Sequence, residues 1–245
     1  MNLVVDIGNT RTKLAFFEKN VLVEKAIMQA SALNWLNARL QSGLVIEGAI
    51  LSATGQDTEG VELFMKNNLP YIKLEHTTPL PIKNKYATPE TLGKDRLASV
   101  VAANYLFPKT NCLVIDCGTC ITYNILHQSE TFLGGNIAPG LTMRLRAMNH
   151  FTAKLPLVER NTETLDLIGN STEKAILAGA QIGLLSEVEG FVKRLEKKMS
   201  DMKIILTGGD GEYLYKNLDL NEKYFEPNLV LQGLNQILNY FFKLK

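Results

Sequence analysis

The sequence predicts an α/β protein built by duplication, and three observations carry that prediction. The stretch Asn2 to Phe17 (NLVVDIGNTRTKLAFF) is echoed by Asn111 to Leu126 (NCLVIDCGTCITYNIL), a little under half of the 245-residue chain further on. Each copy runs from an apolar stretch into an Asp, reaches a Gly two residues later, passes a Thr and enters a second β-rich stretch. That is the pattern of a strand, a tight glycine turn and a returning strand. After each copy, strand-like and helix-like stretches alternate, as α/β units do. No low-complexity linker separates the halves, residues 1–109 and 110–245, so they are expected to pack as one unit with a cleft between them.

In the first half, Leu3–Val5, Thr12–Phe17 and Val21–Ile27 are expected strands joined by short turns at Gly8-Asn9 and Lys19-Asn20. Ser31 can cap a helix reaching about Leu40. Ala49–Leu51 reads as a strand, Asp57–Asn67 as a helix and Tyr71–Leu74 as a strand. His76 to Leu92 carries Pro79, Pro81 and Pro89 without periodicity, a long loop of the kind that tends to be functional. Lys94–Leu106 is then a helix closed by Pro108. The second half restarts with Cys112–Ile115, Ile121–Leu126 and Thr131–Asn136 as strands, followed by Gly134-Gly135 and Pro139-Gly140 as punctuation. Thr172 to about Lys198 is a long helix rich in small residues. Lys203–Leu206 is a strand leading into Gly208-Gly209-Asp210-Gly211 and a short helix, and Asn228–Phe242 is a terminal amphipathic helix.

Composition excludes several classes. Hydrophobic residues at 46% and charged residues at 21% are ordinary for a globular protein, and a net charge of +1 offers no general attraction to nucleic acid or an anionic membrane. The densest basic cluster, Lys193 to Lys198, is interleaved with glutamates and reads as a solvated helix face. Met1 leads straight into a strand containing Asp6, with no signal-peptide pattern, and no stretch approaches the roughly 20 apolar residues of a membrane helix. Three cysteines do not make a disulfide framework, so a cytoplasmic location is expected. Cys117 and Cys120 form a C-x-x-C, but a zinc site lacks a second ligand pair and the β-rich residues after Cys117 oppose a redox helix. They are expected to be small buried residues lining a turn.

The chemistry gathers in the repeated turn. Asp6, Ile7, Gly8, Asn9, Thr10, Arg11, Thr12 and Lys13 place a carboxylate, an open turn backbone, small polar groups and an ammonium within eight residues. Turn N–H groups, Thr10 and Lys13 suit phosphate oxygens, and Asp6 suits a Mg²⁺ ion or its waters. A single such turn reads equally well as an ordinary hairpin. The second copy, Asp116-x-Gly118-Thr119, points to a nucleotide gripped from both sides. Gly208-Gly209-Asp210-Gly211 would let adenine or ribose approach the backbone without meeting a Cβ, or would serve as a tight connection with Asp210 as a helix cap.

This arrangement resembles the acetate and sugar kinase, chaperone ATPase and actin superfamily, which implies duplicated ribonuclease H-like (actin-like ATPase) halves. The likeness narrows at four further segments: Tyr86-x-x-Pro89 with Gly93-Lys94-Asp95-Arg96; Gly134-Gly135-x-Ile137-x-Pro139-Gly140-x-x-Met143-Arg144; Thr152-Ala153-x-Leu155-Pro156; and Gly169-Asn170-Ser171-Thr172. Together they are similar to type III pantothenate kinase, the first enzyme of coenzyme A synthesis, from residue 3 to about 235. The resemblance implies that Asp6 to Lys13 form the first ATP phosphate motif and that Thr119 is a second ATP contact. It makes Asp116 a ligand of a monovalent cation, K⁺ or NH₄⁺. Tyr86, Gly93, Lys94, Asp95, Arg96 and Thr172 become pantothenate-contacting positions, with Asp95 as proton acceptor. A homodimer is also implied, for which the small-residue helix from Thr172 is a plausible surface. Asn124 stands where the family commonly has Asp, and Cys117 and Cys120 where Ala is more usual. A same-superfamily kinase for another substrate, and a regulatory protein that keeps the cleft without catalysis, are the rival expectations.

Overall fold

Both halves of the chain open on the same strand order. In the computed structural model, which describes residues 1–8, 11–28, 32–53, 59–161 and 166–244, there are two compact units. The first comprises Met1–Pro108, Glu130–Phe132 and Asn228–Lys245; the second comprises Lys109–Ser129 and Leu133–Pro227. Asn9 and Thr10 of the first motif, the cap expected at Ser31 and the helix start expected at Asp57 lie outside the described residues.

The first unit holds a five-stranded sheet in the order β3-β2-β1-β4-β5, with β1 Asn2–Ile7, β2 Thr12–Glu18, β3 Val21–Met28, β4 Gly48–Ala53 and β5 Tyr71–Lys73. β1, β2 and β3 form an antiparallel meander, while β4 and β5 extend it in parallel from β1. Every residue of β1 is buried, as expected for a central strand covered on both faces. On one face Leu3, Val5, Leu14, Phe16, Ala49 and Leu51 cluster with Leu36 of α1 (Leu33–Gln41) and with Val61 and Met65 of α2 (Glu59–Asn68). The Phe16 and Trp35 rings stack at 5.4 Å.

Helices α3 (Lys94–Leu106) and α7 (Leu229–Lys243) pack on each other; α7 contacts β1 and β4, and α3 contacts β4. Arg96 through Ala103 of α3 are buried without interruption, which is why its sequence shows only moderate amphipathicity. The two helices approach closely at Gly233, where a Cβ would fall 1.8 Å from the Ala98 carbonyl oxygen. Asn2, on the strand face opposite Leu3, donates to Asn235 and Asn239 of α7 at 2.8 Å each, so its buried amide is satisfied. The long loop His76–Leu92 contains two short elements, strand β6 (Lys83–Asn84) and a single 3₁₀ turn, Pro89–Thr91.

The second unit repeats the plan. β7 is Cys112–Cys117, β8 Cys120–His127, β9 Thr131–Pro139, β10 Lys203–Thr207 and β11 Lys223–Phe225. They run in the order β9-β8-β7-β10-β11, and β7 is antiparallel to β8 and parallel to β10, which is parallel to β11. That is the order of β3-β2-β1-β4-β5, and from β8 to β11 the sense matches as well, so the duplication read from one motif extends to the sheet. At the outer edge of β9, Lys83 and Asn84 of β6 pair with Thr131 and Phe132, the part of β9 that belongs to the first unit.

Two elements of this unit go beyond the sequence expectation. Helix α4 (Leu141–His150) follows Gly140, and it buries only Leu141 and Leu145, too few to leave a clear period. β11 is three residues long. Helix α5 (Thr172–Glu196) corrects the expectation about apolar length, since its mean hydropathy reaches 1.4 over an 18-residue window. Its apolar side is a core face: Ile176, Ala180, Leu184, Val188 and Val192 pack with Leu113, Ile115, Ile204 and Leu206 of the sheet. Helix α6 (Gly211–Asn217) completes the unit.

Candidate active site

Strand parity and pairing decide what faces Asp6. Asp6 lies on the same side of β1 as Asn2 and Val4, away from the α1–α2 core, and its lateral neighbours are Lys13 on β2 and Ser52 on β4. The Ser52 hydroxyl donates to Asp6 Oδ1 at 3.0 Å, and Ser52 itself is fully buried. Burial pushes the Asp6 carboxyl up from 3.8 to about 6; the charge of Asp95 adds to that rise, while Lys13 and the Ser52 hydrogen bond oppose it. Asp6, Lys13, Ser52 and Asp95 therefore form one electrostatic group within the first unit, although the sequence scatters them over its first hundred residues. At the turn, Gly8 N–H donates to the Arg11 carbonyl at 3.1 Å, closing the loop between β1 and β2.

Asp95 sits in the first turn of α3, where the helix dipole favours a carboxylate. Its Oδ1 accepts the Arg96 backbone N–H at 2.8 Å. Gly93 caps the helix, and a Cβ there would come within 2.6 Å of Asp95 Oδ1, so the missing side chain leaves the carboxylate its place. Lys94 lies 4.0 Å from Glu75 Oε2. Arg96 is 5% exposed; its guanidinium lies 5.4 Å over the Tyr86 ring, and Nη1 donates to the Tyr86 hydroxyl at 3.4 Å. The Tyr86 ring in turn stacks with Phe132, 6.1 Å between centroids and 6° between planes. Lys85 N–H bonds the Phe132 carbonyl at 3.0 Å, so the proline-rich loop is held along residues 130–132. Tyr86 and Arg96 thus stand together beside Asp95.

In the second unit Asp116 occupies the position on β7 that Asp6 has on β1. Its neighbours in register are Thr122 on β8 and Thr207 on β10, where Asp6 has Lys13 and Ser52. The two turns are unequal: Gly118-Thr119 is a two-residue connection closed by Gly118 N–H to the Cys120 carbonyl at 3.0 Å. Thr119 is exposed. Gly140 N–H donates to the Thr119 carbonyl at 3.1 Å, which sets the N-terminus of α4 against this turn. Thr172 is exposed at the first position of α5, beside Ser171, whose side chain caps the helix by accepting from Lys174 N–H at 3.3 Å.

The departures noted in the sequence have local explanations. Asn124 is fully buried and donates to the Thr122 hydroxyl at 3.0 Å; a carboxylate there would be a buried charge, whereas the amide is neutral. Burial raises the Cys117 thiol far above its ordinary value, with the charge of Asp116 adding to it, and raises Cys112 to about 12. These thiols stay protonated. Of the two cysteines expected to be buried at the turn, Cys117 is buried and Cys120 is only half-buried.

Four participants escape a reading of the sequence. Ser52 and Phe132 are visible only through strand register and stacking. Arg160 forms an ion pair with Asp210, whose carboxylate lies at the glycine turn after β10. Gln181, fully buried in α5, accepts from Asn161 N–H at 3.0 Å and donates to the Asn161 carbonyl at 2.8 Å, fixing the segment that carries Arg160. A buried Gln in an otherwise apolar helix face was the one available signal.

Solved structures share this fold. A protein described as a Baf family transcriptional activator from Campylobacter jejuni matches with a TM-score of 0.63 at 21% identity, covering 98% of this chain and 99% of that one. A ROK hexokinase from Thermus thermophilus matches at 0.51 and 13% identity, covering 99% of each. An activator of 2-hydroxyisocaproyl-CoA dehydratase from Clostridium difficile, solved with bound ADPNP, matches at 0.52 and 13%, covering 99% of this chain and 94% of the other. These likenesses establish an actin-like ATPase fold. Sequence comparison goes further. A protein named type III pantothenate kinase from Phocaeicola vulgatus is 42% identical over 247 residues, covering 100% of both chains. Proteins of the same name from Christiangramia forsetii and Bacteroides fragilis are each 41% identical over 242 residues, covering 98% of both chains. The family model for type III pantothenate kinase matches residues 2–194, and the chain belongs to that family.

Proposed function

We propose that this protein transfers the γ-phosphoryl group of ATP to the terminal primary hydroxyl of pantothenate, giving 4′-phosphopantothenate and ADP, the first step of coenzyme A synthesis. The observation that carries the reading is the group formed by Asp6, Lys13 and Asp95, with Tyr86 and Arg96 beside it. Arg96, pre-oriented over the Tyr86 ring, offers a planar fork to the substrate carboxylate. Gly93 and Lys94 line the approach to the same helix terminus. Asp95 accepts the Arg96 N–H with Oδ1, leaving Oδ2 to take the proton of the attacking hydroxyl. As the new O–P bond forms, the bond from the γ-phosphorus to the bridging oxygen breaks, and ADP leaves with that electron pair. Ile7, Gly8, Asn9, Thr10, Arg11, Thr12, Lys13 and Thr119 are assigned to the phosphates.

The donor sets fit the two cations the reading implies. Asp6 is a buried carboxylate whose ionised form is disfavoured by burial, and a divalent cation would reverse that. Mg²⁺ would arrive with the ATP phosphates. Mg²⁺ would neutralise charge on those oxygens. Asp116, at a strand end beside turn carbonyls, supplies the hard oxygen donors that K⁺ or NH₄⁺ takes. A homodimer is supported by α5, whose Gly179, Gly183 and Gly190 have open space where a Cβ would stand, and Thr172 at its start is assigned to the substrate. The cytoplasm, where ATP is made and used, is the assigned location.

The test is a coupled assay with ATP, Mg²⁺ and pantothenate, with and without K⁺, beside a panel of sugars and small acids. One ADP per 4′-phosphopantothenate, dependent on pantothenate, is expected. No phosphopantothenate under any of these conditions removes the kinase reading, and faster turnover of another acceptor replaces the substrate.

A further inference from the structure

The two glycines after β10 answer to different neighbours. Gly208 has φ +89°, a backbone state that L side chains rarely adopt. A Cβ there would stand 2.5 Å from Asp116 Oδ1 and 2.6 Å from the Cys117 carbonyl oxygen. Gly209 has no atom within 4 Å of its Cβ position. Gly209 therefore faces open space, whereas the space beside Gly208 is already filled by the Asp116 carboxylate and the Cys117 carbonyl.

The turn cannot retreat from that contact. On one side Thr207 pairs in register with Asp116; on the other Asp210 N–H donates to the Cys117 carbonyl at 2.9 Å. The backbone is fastened before and after Gly208, so an added methyl group would meet the Asp116 carboxylate and the Cys117 carbonyl together, displacing the carboxylate and pressing on the strand end that carries it.

We propose that Gly208 is a positioning residue for Asp116: its bare α-carbon sets the direction in which the carboxylate points, and so sets the affinity of the monovalent-cation site. The inference rests on the reading of Asp116 as a ligand of K⁺ or NH₄⁺. It ties the turn after β10 to cation binding through contact, with no ligand shared between them.

The experiment reads cation binding without turnover. K⁺ is titrated against the melting temperature of the full-length protein at constant ionic strength with Na⁺, in the parent, Gly208→Ala, Asp116→Asn and Gly43→Ala. Gly43 has φ +81° and nothing near its Cβ position, so Gly43→Ala carries the backbone strain without the contact. Removing a group that orients a metal ligand typically weakens binding by about 10–100-fold, and Gly208→Ala is expected to raise half-saturating K⁺ by about tenfold or more. Gly43→Ala should leave it at the parental value, and Asp116→Asn should abolish the response. A parental K⁺ response in Gly208→Ala, with the response lost in Asp116→Asn, overturns the positioning role and leaves the cation assignment standing. A response that survives in Asp116→Asn removes the cation assignment and the inference with it. If Gly208→Ala does not fold, hydrogen exchange of the unaltered protein decides: K⁺ should slow exchange across residues 207–211, and unchanged exchange there overturns the inference.

Discussion

Replacing Asp6 with Asn should make the protein more stable and inactive, and the gain should depend on pH. Asp6 is 7% exposed, and its carboxyl is pushed up from 3.8 to about 6, chiefly by burial. The gap between those values corresponds to about 3 kcal/mol at 25 °C. Below pH 3.8 both folded and unfolded chains hold the proton and Asp6 imposes no penalty. As pH rises through that value the unfolded chain ionises first and stability falls. Above about 6 the whole penalty is present. In Asp6→Asn the amide oxygen can still accept from Ser52, while the charge is gone. The variant should therefore gain up to about 3 kcal/mol at pH 8, or about 6–12 °C in melting temperature for a chain of this size. The gain should shrink toward zero near pH 4. Paired thermal melts of parent and variant from pH 4 to 8, without nucleotide or Mg²⁺, measure it. A variant no more stable than the parent at pH 8, or one whose gain is the same at pH 4.5 and pH 8, would refute the claim that the fold holds an ionised carboxylate against its burial. Such strain is what a cation-binding carboxylate is expected to carry.

Three further substitutions probe the neighbouring groups. Asp95→Asn keeps an oxygen for the Arg96 N–H but cannot take a proton, so kcat should fall by about 10²–10⁴-fold with little change in the KM for pantothenate; near-parental kcat removes Asp95 from the base role. Arg96→Lys keeps the charge but loses the planar fork and the face-on contact with Tyr86, and steady-state kinetics should show pantothenate KM raised by about tenfold or more while ATP KM stays within about twofold. Gly233→Ala places a methyl group against the Ala98 carbonyl, and a urea titration should show a loss of about 3 kcal/mol or more from separating α3 and α7.

Several parts of the molecule were open to a reader of the sequence for identifiable reasons. β1 and β2, and their counterparts β7 and β8, announce themselves because a buried strand between turns must be apolar and β-rich, and the edge strand β3 by alternation alone. Helix α3 is expected over Lys94–Leu106 and spans those residues, since Gly93 before it and Pro108 after it are boundary signals of backbone chemistry. Helix α4 and strand β11 are short and carry few buried residues, so no period betrays them. The long loop from His76 looked featureless because β6 and its partners at residues 130–132 are brought together only by folding.

The candidate site divides the same way. The sequence alone marked the candidates for chemistry: the aspartates at two strand ends, Lys13, the run Gly93 to Arg96, and the glycines after β10, because residue type and local spacing are written in the chain. The tertiary structure alone decided which of them share a group. Strand parity turned Asp6 away from the α1–α2 core toward Lys13, Ser52 and the charge of Asp95, and register gave Asp116 the threonines Thr122 and Thr207 as neighbours. It also decided why two adjacent glycines differ, one open and one filled by a carboxylate. The reason is physical: a one-residue slip in register would send the strand residues among them to the opposite face. Register is set by the packing of the whole sheet and by no single stretch of sequence.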